Sequence, residues 1–102
     1  MPKRGKRGRK SVAEMILEKI KKMNIKDDDE LYVITYDTVK PPPEFYHNVE
    51  RLRKVFNIDR VQRSVYEVRG LRGVVAMNML SRHYRIMALK VYRVSGVVNI
   101  KI

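Results

Sequence analysis

The clearest hydrophobic pattern in the chain runs over residues 31–38, which read LYVITYDT. β-Branched and aromatic residues dominate it, as they do in strands. Both alternating sets of positions are apolar, with Leu31 and Val33 on one face and Ile34 and Tyr36 on the other. Because strands with two apolar faces lie inside sheets, we predict a central strand that is covered on both sides.

The pattern becomes helical between residues 11 and 24. Ser11 and Glu14 have the spacing of a capping box, in which each side chain accepts a hydrogen bond from the other residue's backbone amide. Apolar residues then recur every three to four positions, which predicts a helix over 11–24 with one apolar stripe. The stripe consists of Val12, Met15, Ile16, Ile20 and Met23.

Two more helices and three more strand segments follow the first strand. Helices are predicted where apolar residues recur at helical spacing, and strands where Val, Ile and Tyr accumulate. One segment alternates imperfectly, so it is either one bent strand or two short strands joined near Arg63 and Ser64. The predicted helices cover 44–57 and 71–82, and the predicted strands cover 58–68, 86–94 and 97–102.

The order of elements after the first helix predicts an α+β domain with the ferredoxin-like plan βαββαβ. In this plan the helices lie on one face of the sheet and the other face is free for a partner subunit. The last strand has little to pair with in so small a sheet, so we expect it to pair with a partner subunit. We divide the chain into a disordered basic arm (1–10), a helix with an acidic linker (11–30) and the ferredoxin-like domain (31–102).

Positive charge is the strongest global feature. The net charge is +12, and residues 31–102 alone carry thirteen positive and five negative charges. Because the chain is basic even without its arm, we expect a polyanion as partner and favour nucleic acid over a merely solubilising charge. The candidate phosphate contacts are Lys3, Arg4, Lys6, Arg7, Arg9, Lys10, Arg51, Arg53, Lys54, Arg60 and Arg63.

The composition excludes several kinds of site. The chain has no cysteine, which excludes disulfides, thiolate metal sites and cysteine nucleophiles. No apolar run approaches the roughly 20 residues of a membrane helix, so we predict a cytoplasmic protein without a membrane partner. A charged fraction of 33% with a single Gln suits a thermophile. The four acids at 27–30 lack the ligand spacing of a calcium loop, so we interpret them as a solvated linker.

Four short motifs together resemble one known family. They are YD at 36–37, VERL at 49–52, RVQRSVYE at 60–67 and LKVYR at 89–93. These residues resemble the small CRISPR-associated spacer-acquisition subunit, a family also described as endonucleases or endoribonucleases. The block at 60–67 is the most specific motif. The resemblance covers about residues 31–100, and the N-terminal arm and helix lie outside it.

The resemblance implies a ferredoxin-like fold and a two-fold homodimer in which the C-terminal strand joins the partner's sheet. It implies binding of duplex DNA on the basic surface, an integrase as protein partner and a role in antiviral defence. It also implies that Asp37, at the end of the first strand, is a magnesium ligand and a catalytic residue.

Asp37 is a conditional candidate for metal chemistry. Mg²⁺ is usually bound by one or two carboxylates together with waters and phosphates, so one Asp37 per chain is too few for a convincing site. A two-fold dimer would bring two copies near one axis, where Mg²⁺ could polarise a phosphodiester or activate water. The alternative is that Asp37 only ends the strand, as Asp often does at turns.

Three functions therefore stay open. The first is a dimeric protein that binds DNA or RNA through its basic surface. The second is a magnesium-dependent endonuclease or endoribonuclease. The third is a protein-interaction module that binds its partner by strand addition or through its N-terminal helix. We rank them in that order.

Overall fold

The computed structural model describes residues 10–36, 40–86, 88–96, 98 and 100. These residues form an α+β domain with three helices and a four-stranded antiparallel sheet. None of the described helices is long and apolar enough to cross a membrane. The elements in chain order are α1 (Val12–Lys22), β1 (Leu31–Tyr36), α2 (Pro43–Arg53), β2 (Asn57–Gln62), β3 (Val65–Arg69), α3 (Leu71–His83) and β4 (Ala88–Val94).

The strands are arranged in the order β2-β3-β1-β4, and each neighbouring pair is antiparallel. β1 is a central strand, as predicted, because Leu31 lies opposite Arg69 of β3 on one side and Val94 of β4 on the other. Within the described residues, β2 and β4 form the two edges of the sheet. This order is compatible with the predicted ferredoxin-like arrangement.

One face of the sheet is covered by the helices and the other is open. Along β1, Tyr32, Ile34 and Tyr36 are buried, whereas Leu31 and Val33 are only partly buried. The expected cover on both faces is therefore not provided by the described part of the chain. The reason is that α2 and α3 pack on the same side of the sheet and α1 packs on those two helices.

The N-terminal helix α1 forms an outer layer. Its predicted capping box is confirmed, because Ser11 Oγ accepts from the amide of Glu14 and Glu14 Oε1 accepts from the amide of Ser11. The helix is also joined to the layer beneath it by a buried hydrogen bond, in which the amide of Ala13 donates to Asn48 Oδ1 of α2 at 3.0 Å. The first helix is thus fixed both locally and to the domain.

The buried stripe of α1 differs from the predicted one. Ala13, Ile16 and Ile20 are buried, whereas Met15 is 40% exposed and Met23 is 45% exposed. The burial of Ile16 and Ile20 confirms part of the prediction, and the two methionines were wrongly included. The helix contacts α2 and α3 on one side only, so a narrow stripe suffices.

The structure decides between one bent strand and two short strands in the middle of the chain. The segment predicted over 58–68 is two strands, β2 and β3, joined by a turn at Arg63 and Ser64. α2 ends at Arg53, four residues before its predicted end, because the chain turns and then enters β2 at Asn57.

The C-terminal prediction is only partly covered by the described residues. β4 begins at Ala88 rather than at 86, and the buried Ile86 donates its amide to the carbonyl oxygen of Ser81 at 2.7 Å. The strand predicted over 97–102 lies largely outside the described residues. Val98 and Ile100, which are described, are exposed.

The acidic run before β1 caps helix α3. Asp28 Oδ1 accepts from the amide of Leu71 at 3.1 Å, and Asp27 Oδ1 accepts from the amide of Arg72 at 3.0 Å. Gly70 at the N-cap has no side chain with which to cap the helix, so these carboxylates satisfy amides that a helix leaves free. The run is an exposed segment without regular secondary structure, as predicted for a solvated linker. Its capping role was not predicted, because the partners lie 43 and 45 residues further along the chain.

Candidate nucleic-acid interface

An open pocket lies at the end of the sheet where β1 finishes. Its volume is about 920 Å³. β1 meets the β2–β3 turn at this end, where the amide of Tyr36 donates to the carbonyl oxygen of Ser64 at 2.8 Å. The start of α2 and the residue Ile86 complete the lining. Segments that are distant in the sequence therefore meet around one cavity.

Three cationic side chains, which we call the cationic rim, line the pocket. Lys40 precedes α2, Arg60 lies on β2 and Arg63 lies in the β2–β3 turn. All three residues are exposed, and the described lining contains no Asp or Glu. No ion pair joins the rim to a carboxylate in the described part of the chain. Like charges around a concave site raise its positive potential and favour an anion there.

Four rings, which we call the aromatic wall, line the pocket beside the cationic rim. The Arg60 guanidinium lies 5.1 Å from the centroid of the Tyr46 ring, a cation–π distance. Tyr46 meets Phe45 edge to face with centroids 5.5 Å apart. Tyr36 meets Phe45 at 6.3 Å and Tyr66 at 5.9 Å, again edge to face. Such interlocked rings form a firm, largely apolar surface.

Two tyrosine hydroxyls are buried in the wall, and they differ in their partners. The Tyr36 hydroxyl donates to the carbonyl oxygen of Met77 at 3.4 Å. Tyr66 is only 1% exposed, and its hydroxyl has no hydrogen-bond partner among the described residues. Burial raises the pKa of Tyr66, while the positive charge of the nearby Arg60 opposes the rise. The Tyr66 hydroxyl is therefore protonated at neutral pH and can donate.

Helix α2 begins at the pocket without a side-chain cap in the described structure. Pro42 is the N-cap residue and Pro43 is the first helical residue. Proline suits the first helical position, but neither residue has an amide hydrogen to offer an anion. The positive end of the helix dipole still adds to the charge of the nearby Lys40. Any anion bound here is therefore held mainly by side chains.

The structure brings Arg60 and Arg63 together in the pocket, and the other predicted contacts within the described ranges are not part of its lining. Arg51 Nη1 donates to Asn48 Oδ1 at 3.1 Å. Arg53 forms an exposed ion pair with Glu50 at 3.0 Å. These two arginines of α2 thus already have partners within their own helix.

The remaining predicted site residues fall into two groups. Lys54 is the C-cap residue of α2, and Lys10 forms an ion pair with Glu18. The predicted residues that lie outside the described ranges are Lys3, Arg4, Lys6, Arg7, Arg9 and Asp37.

Sequence reasoning missed the other half of the site. Lys40 was counted only as part of a connector, and Tyr46 and Tyr66 were not singled out. The turn at 63–64 alone does not indicate that Arg60 faces Tyr66, because a regular hairpin closed there would pair Val61 with Tyr66. Arg60 lies opposite Tyr66 because the register shifts between Arg60 and Gln62. The approach of Tyr46 to Arg60 depends on how α2 packs, and no local pattern encodes it.

The described residues offer little to a resident magnesium ion. No group of three or more His, Asp or Glu side chains in the described ranges is arranged to hold a metal. The described lining of the pocket contributes positive charges and phenol groups, whereas Mg²⁺ prefers carboxylate, phosphate and water oxygens. These residues fit an anion better than Mg²⁺, and metal binding at Asp37 stays a prediction.

Comparisons with protein-family models, with curated proteins and with solved structures found no match to this chain. The resemblance to the CRISPR-associated subunit accordingly stays a prediction from the motifs.

Proposed function

We propose that this protein binds nucleic acid at the pocket beyond β1, as a homodimer of ferredoxin-like domains. The observation that carries the proposal is a lining with Lys40, Arg60 and Arg63 and with no carboxylate among its described residues. A net charge of +12 adds a long-range attraction for polyanions. The planar fork of arginine matches the oxygens of a phosphate. Charge and geometry thus favour a phosphate-bearing polymer.

The open face of the sheet is a weaker candidate for base recognition. RNA-binding domains that use a four-stranded sheet stack bases on aromatic residues of that sheet. The open-face residues of the two central strands here include no aromatic ring, and the exposed Tyr92 lies on the edge strand β4. The central open-face residues are Leu31, Val33, Thr35, Val65, Glu67 and Arg69. Rings and cations occur together at the pocket instead.

The open face is the surface that we assign to the second copy in the proposed homodimer. Leu31 and Val33 are only partly buried there, and Tyr92 is 49% exposed. Covering such apolar surface with another chain is favourable. Light scattering over a range of protein concentrations tests this part of the proposal, and a monomer at every concentration would contradict it.

The binding test compares two charge-matched variants. Arg60→Gln with Arg63→Gln removes two charges from the cationic rim, and Lys21→Gln with Lys22→Gln removes two from the far layer α1. We expect the first variant to lose about tenfold or more in affinity for a labelled oligonucleotide. Its plot of log affinity against log salt should also become shallower, by about 0.7 for each lost phosphate contact on a single strand. Fluorescence anisotropy at several salt concentrations measures both quantities.

The control variant should bind nearly as the wild type does, because its charges lie away from the pocket. Equal losses in the two variants would show that net charge, and not the pocket, determines affinity. Wild-type affinity that does not change between low and moderate salt would contradict nucleic-acid binding through phosphates altogether.

The resemblance extends this proposal to DNA capture together with an integrase partner. The nuclease alternative requires Mg²⁺ at Asp37, and assaying cleavage of the same oligonucleotides with and without Mg²⁺ separates binding from hydrolysis. The protein-interaction alternative uses α1 or the edge of β4, and it predicts a protein complex that survives high salt and nuclease treatment.

A further inference from the structure

We propose that the pocket holds a single unpaired nucleotide of the bound strand, with its phosphate on the cationic rim and its base against the aromatic wall. This inference rests on the proposed nucleic-acid binding and adds the form of nucleic acid that the pocket selects. It concerns only described residues: Lys40, Arg60, Arg63, Tyr46 and Tyr66.

The dimensions and lining of the pocket suit an amphipathic anion. Its volume of about 920 Å³ lies within the roughly 300–1,000 Å³ that is usual for small-molecule sites, and it exceeds the needs of a lone phosphate. Three cations account for a charged group. Rings and the prolines Pro41 and Pro43 account for a flat, apolar one. A nucleotide carries both groups on one short unit.

The aromatic wall favours an unpaired nucleotide over a base pair. In a duplex the base faces are stacked on one another, and only the base edges are accessible in the grooves. A ring inside a pocket can therefore meet a base face only where the base has left the stack. Tyr46 is the wall residue suited to this contact, because it is half-buried and carries the Arg60 guanidinium near its face. Stacking on one such ring tolerates any base.

The buried Tyr66 hydroxyl is a second reason, independent of charge, to expect a ligand in the pocket. A buried donor without a partner destabilises a protein unless something satisfies it, and no described residue does so. Arg60 lies opposite Tyr66 across the β2–β3 pair, and its guanidinium can only donate, so it cannot accept the proton of this hydroxyl. When the guanidinium moves from the Tyr46 ring onto a phosphate, it uncovers the ring for a base and opens Tyr66 to a polar atom of the nucleotide.

The test measures binding of a 12-nucleotide single strand and of a blunt-ended duplex of the same length, each as DNA and as RNA. Tyr46→Leu should weaken single-strand binding about tenfold or more, because it removes the stacking ring. Tyr66→Phe should weaken it about three- to tenfold, because it removes only the hydroxyl. Duplex affinity should change less than twofold in both variants.

Two matched controls separate these roles from general damage. Tyr46→Phe keeps the ring, so single-strand binding should stay near the wild-type value. Tyr32→Phe makes the same chemical change as Tyr66→Phe at the opposite end of the sheet, where the hydroxyl donates to Asp28, so no effect on binding is expected. Thermal melting adds a readout, because Tyr66→Phe removes an unsatisfied buried group and should melt no lower than the wild type.

The outcomes distinguish this inference from the function on which it rests. Salt-dependent binding of both forms, with equal losses for single strand and duplex or with no loss in the two variants, would overturn the unpaired-nucleotide site and leave phosphate binding intact. No salt-dependent binding of any oligonucleotide would overturn both. A difference between the DNA and RNA strands would identify the sugar that the site accepts.

Discussion

One helix begins at each end of the sheet, and the groups around the two helix N-termini have opposite charges. At the end where β1 begins, α3 starts under the carboxylates of Asp27 and Asp28, which accept hydrogen bonds from its first amides. At the end where β1 finishes, α2 starts at Pro42 and Pro43, without a side-chain cap in the described structure and with Lys40 nearby. Both helix ends carry the same partial positive charge.

The difference shows which end of the domain can bind an external anion. The chain supplies anions to the start of α3, where Asp27 and Asp28 accept from its first amides and the Tyr32 hydroxyl donates to Asp28 Oδ2 at 2.6 Å. Only the buried Arg72 Nε has no partner there among the described residues. At the start of α2 the chain adds the cations Lys40, Arg60 and Arg63 to an end that is already positive. Positive groups gathered in this way repel one another until an anion arrives. One end therefore holds the fold together and the other is suited to binding.

The largest effect on stability is expected at Gly70, in the capped end. Its φ is +101°, in a region that residues with a Cβ rarely adopt. A Cβ there would also lie 3.2 Å from Asp27 Oδ1 and 3.3 Å from the carbonyl oxygen of Asp28. Gly70→Ala should therefore lower the free energy of unfolding by about 1–3 kcal/mol, as measured by urea denaturation.

Gly96→Ala is the matched control for this variant. A Cβ at Gly96 meets no heavy atom of the described residues within 4 Å, so stability should change by no more than about 0.5 kcal/mol. Nucleic-acid affinity of the folded Gly70→Ala protein should equal that of the wild type, because the pocket is at the other end. A loss of affinity in folded protein would contradict the separation of the two ends.

The elements could be predicted from the sequence wherever the determining residues are neighbours. Ser11 and Glu14 are three positions apart, and the box they form was predicted and is present. The turn at Arg63 and Ser64 was identified from the break in alternation between two short runs. The cap of α3 was missed because Asp28 acts on Leu71, 43 residues away, and a run of acids has the same composition whether it is solvated or bonded.

The residues of the pocket also could be predicted only in part from the sequence. Arg60 and Arg63 were selected for their charge alone, and so were Arg51 and Arg53, although the structure gives the latter two partners inside α2. Charge in a sequence does not say which cations converge. Convergence depends on the sheet register and on the packing of α2, and both are tertiary properties.

A carboxylate cap like that of α3, introduced at the start of α2, is expected to have a smaller effect, and this effect is on nucleic-acid affinity. Pro42 has φ −70° and ψ 157°, the extended conformation of a capping residue. Pro42→Asp would place a carboxylate there, and this charge should lower single-strand affinity about threefold by competing with phosphate for Lys40 and the helix end. Anisotropy titration at one salt concentration measures the change.

Pro42→Ser separates the added charge from the lost proline. Serine can cap the helix without a charge, so its affinity should match that of the wild type. An equal loss in the aspartate and serine variants would mean that the proline itself shapes the pocket, and that charge does not cause the difference between the two ends.

The smallest expected effect is a change in the pKa of Asp28, at the end of the sheet where α3 is capped. The Tyr32 hydroxyl is the main cause that holds the pKa of Asp28 below its usual value of 3.8, helped by the amides of Glu30 and Leu71. A lowered carboxyl pKa stabilises the fold fully above pH 3.8, and that contribution is lost as the pH falls through the lowered value. Asp28 in turn raises the pKa of Tyr32, so the same bond is also lost at high pH, as the pH rises from about 10 through the raised pKa.

Tyr32→Phe should therefore raise the pKa of Asp28 towards 3.8 without removing the cap, because the amide of Leu71 still donates to Asp28 Oδ1. Carboxyl carbon shifts measured by NMR against pH report this directly, and Tyr92→Phe is the control with the same lost hydroxyl. A pKa of Asp28 that stays equally low in Tyr32→Phe would assign the shift to the amides of Glu30 and Leu71 and to the charge of Arg93. In that case the Asp28 carboxylate would be held without the hydroxyl, by amides and a cation, much as we propose that cationic side chains hold a phosphate at the other end.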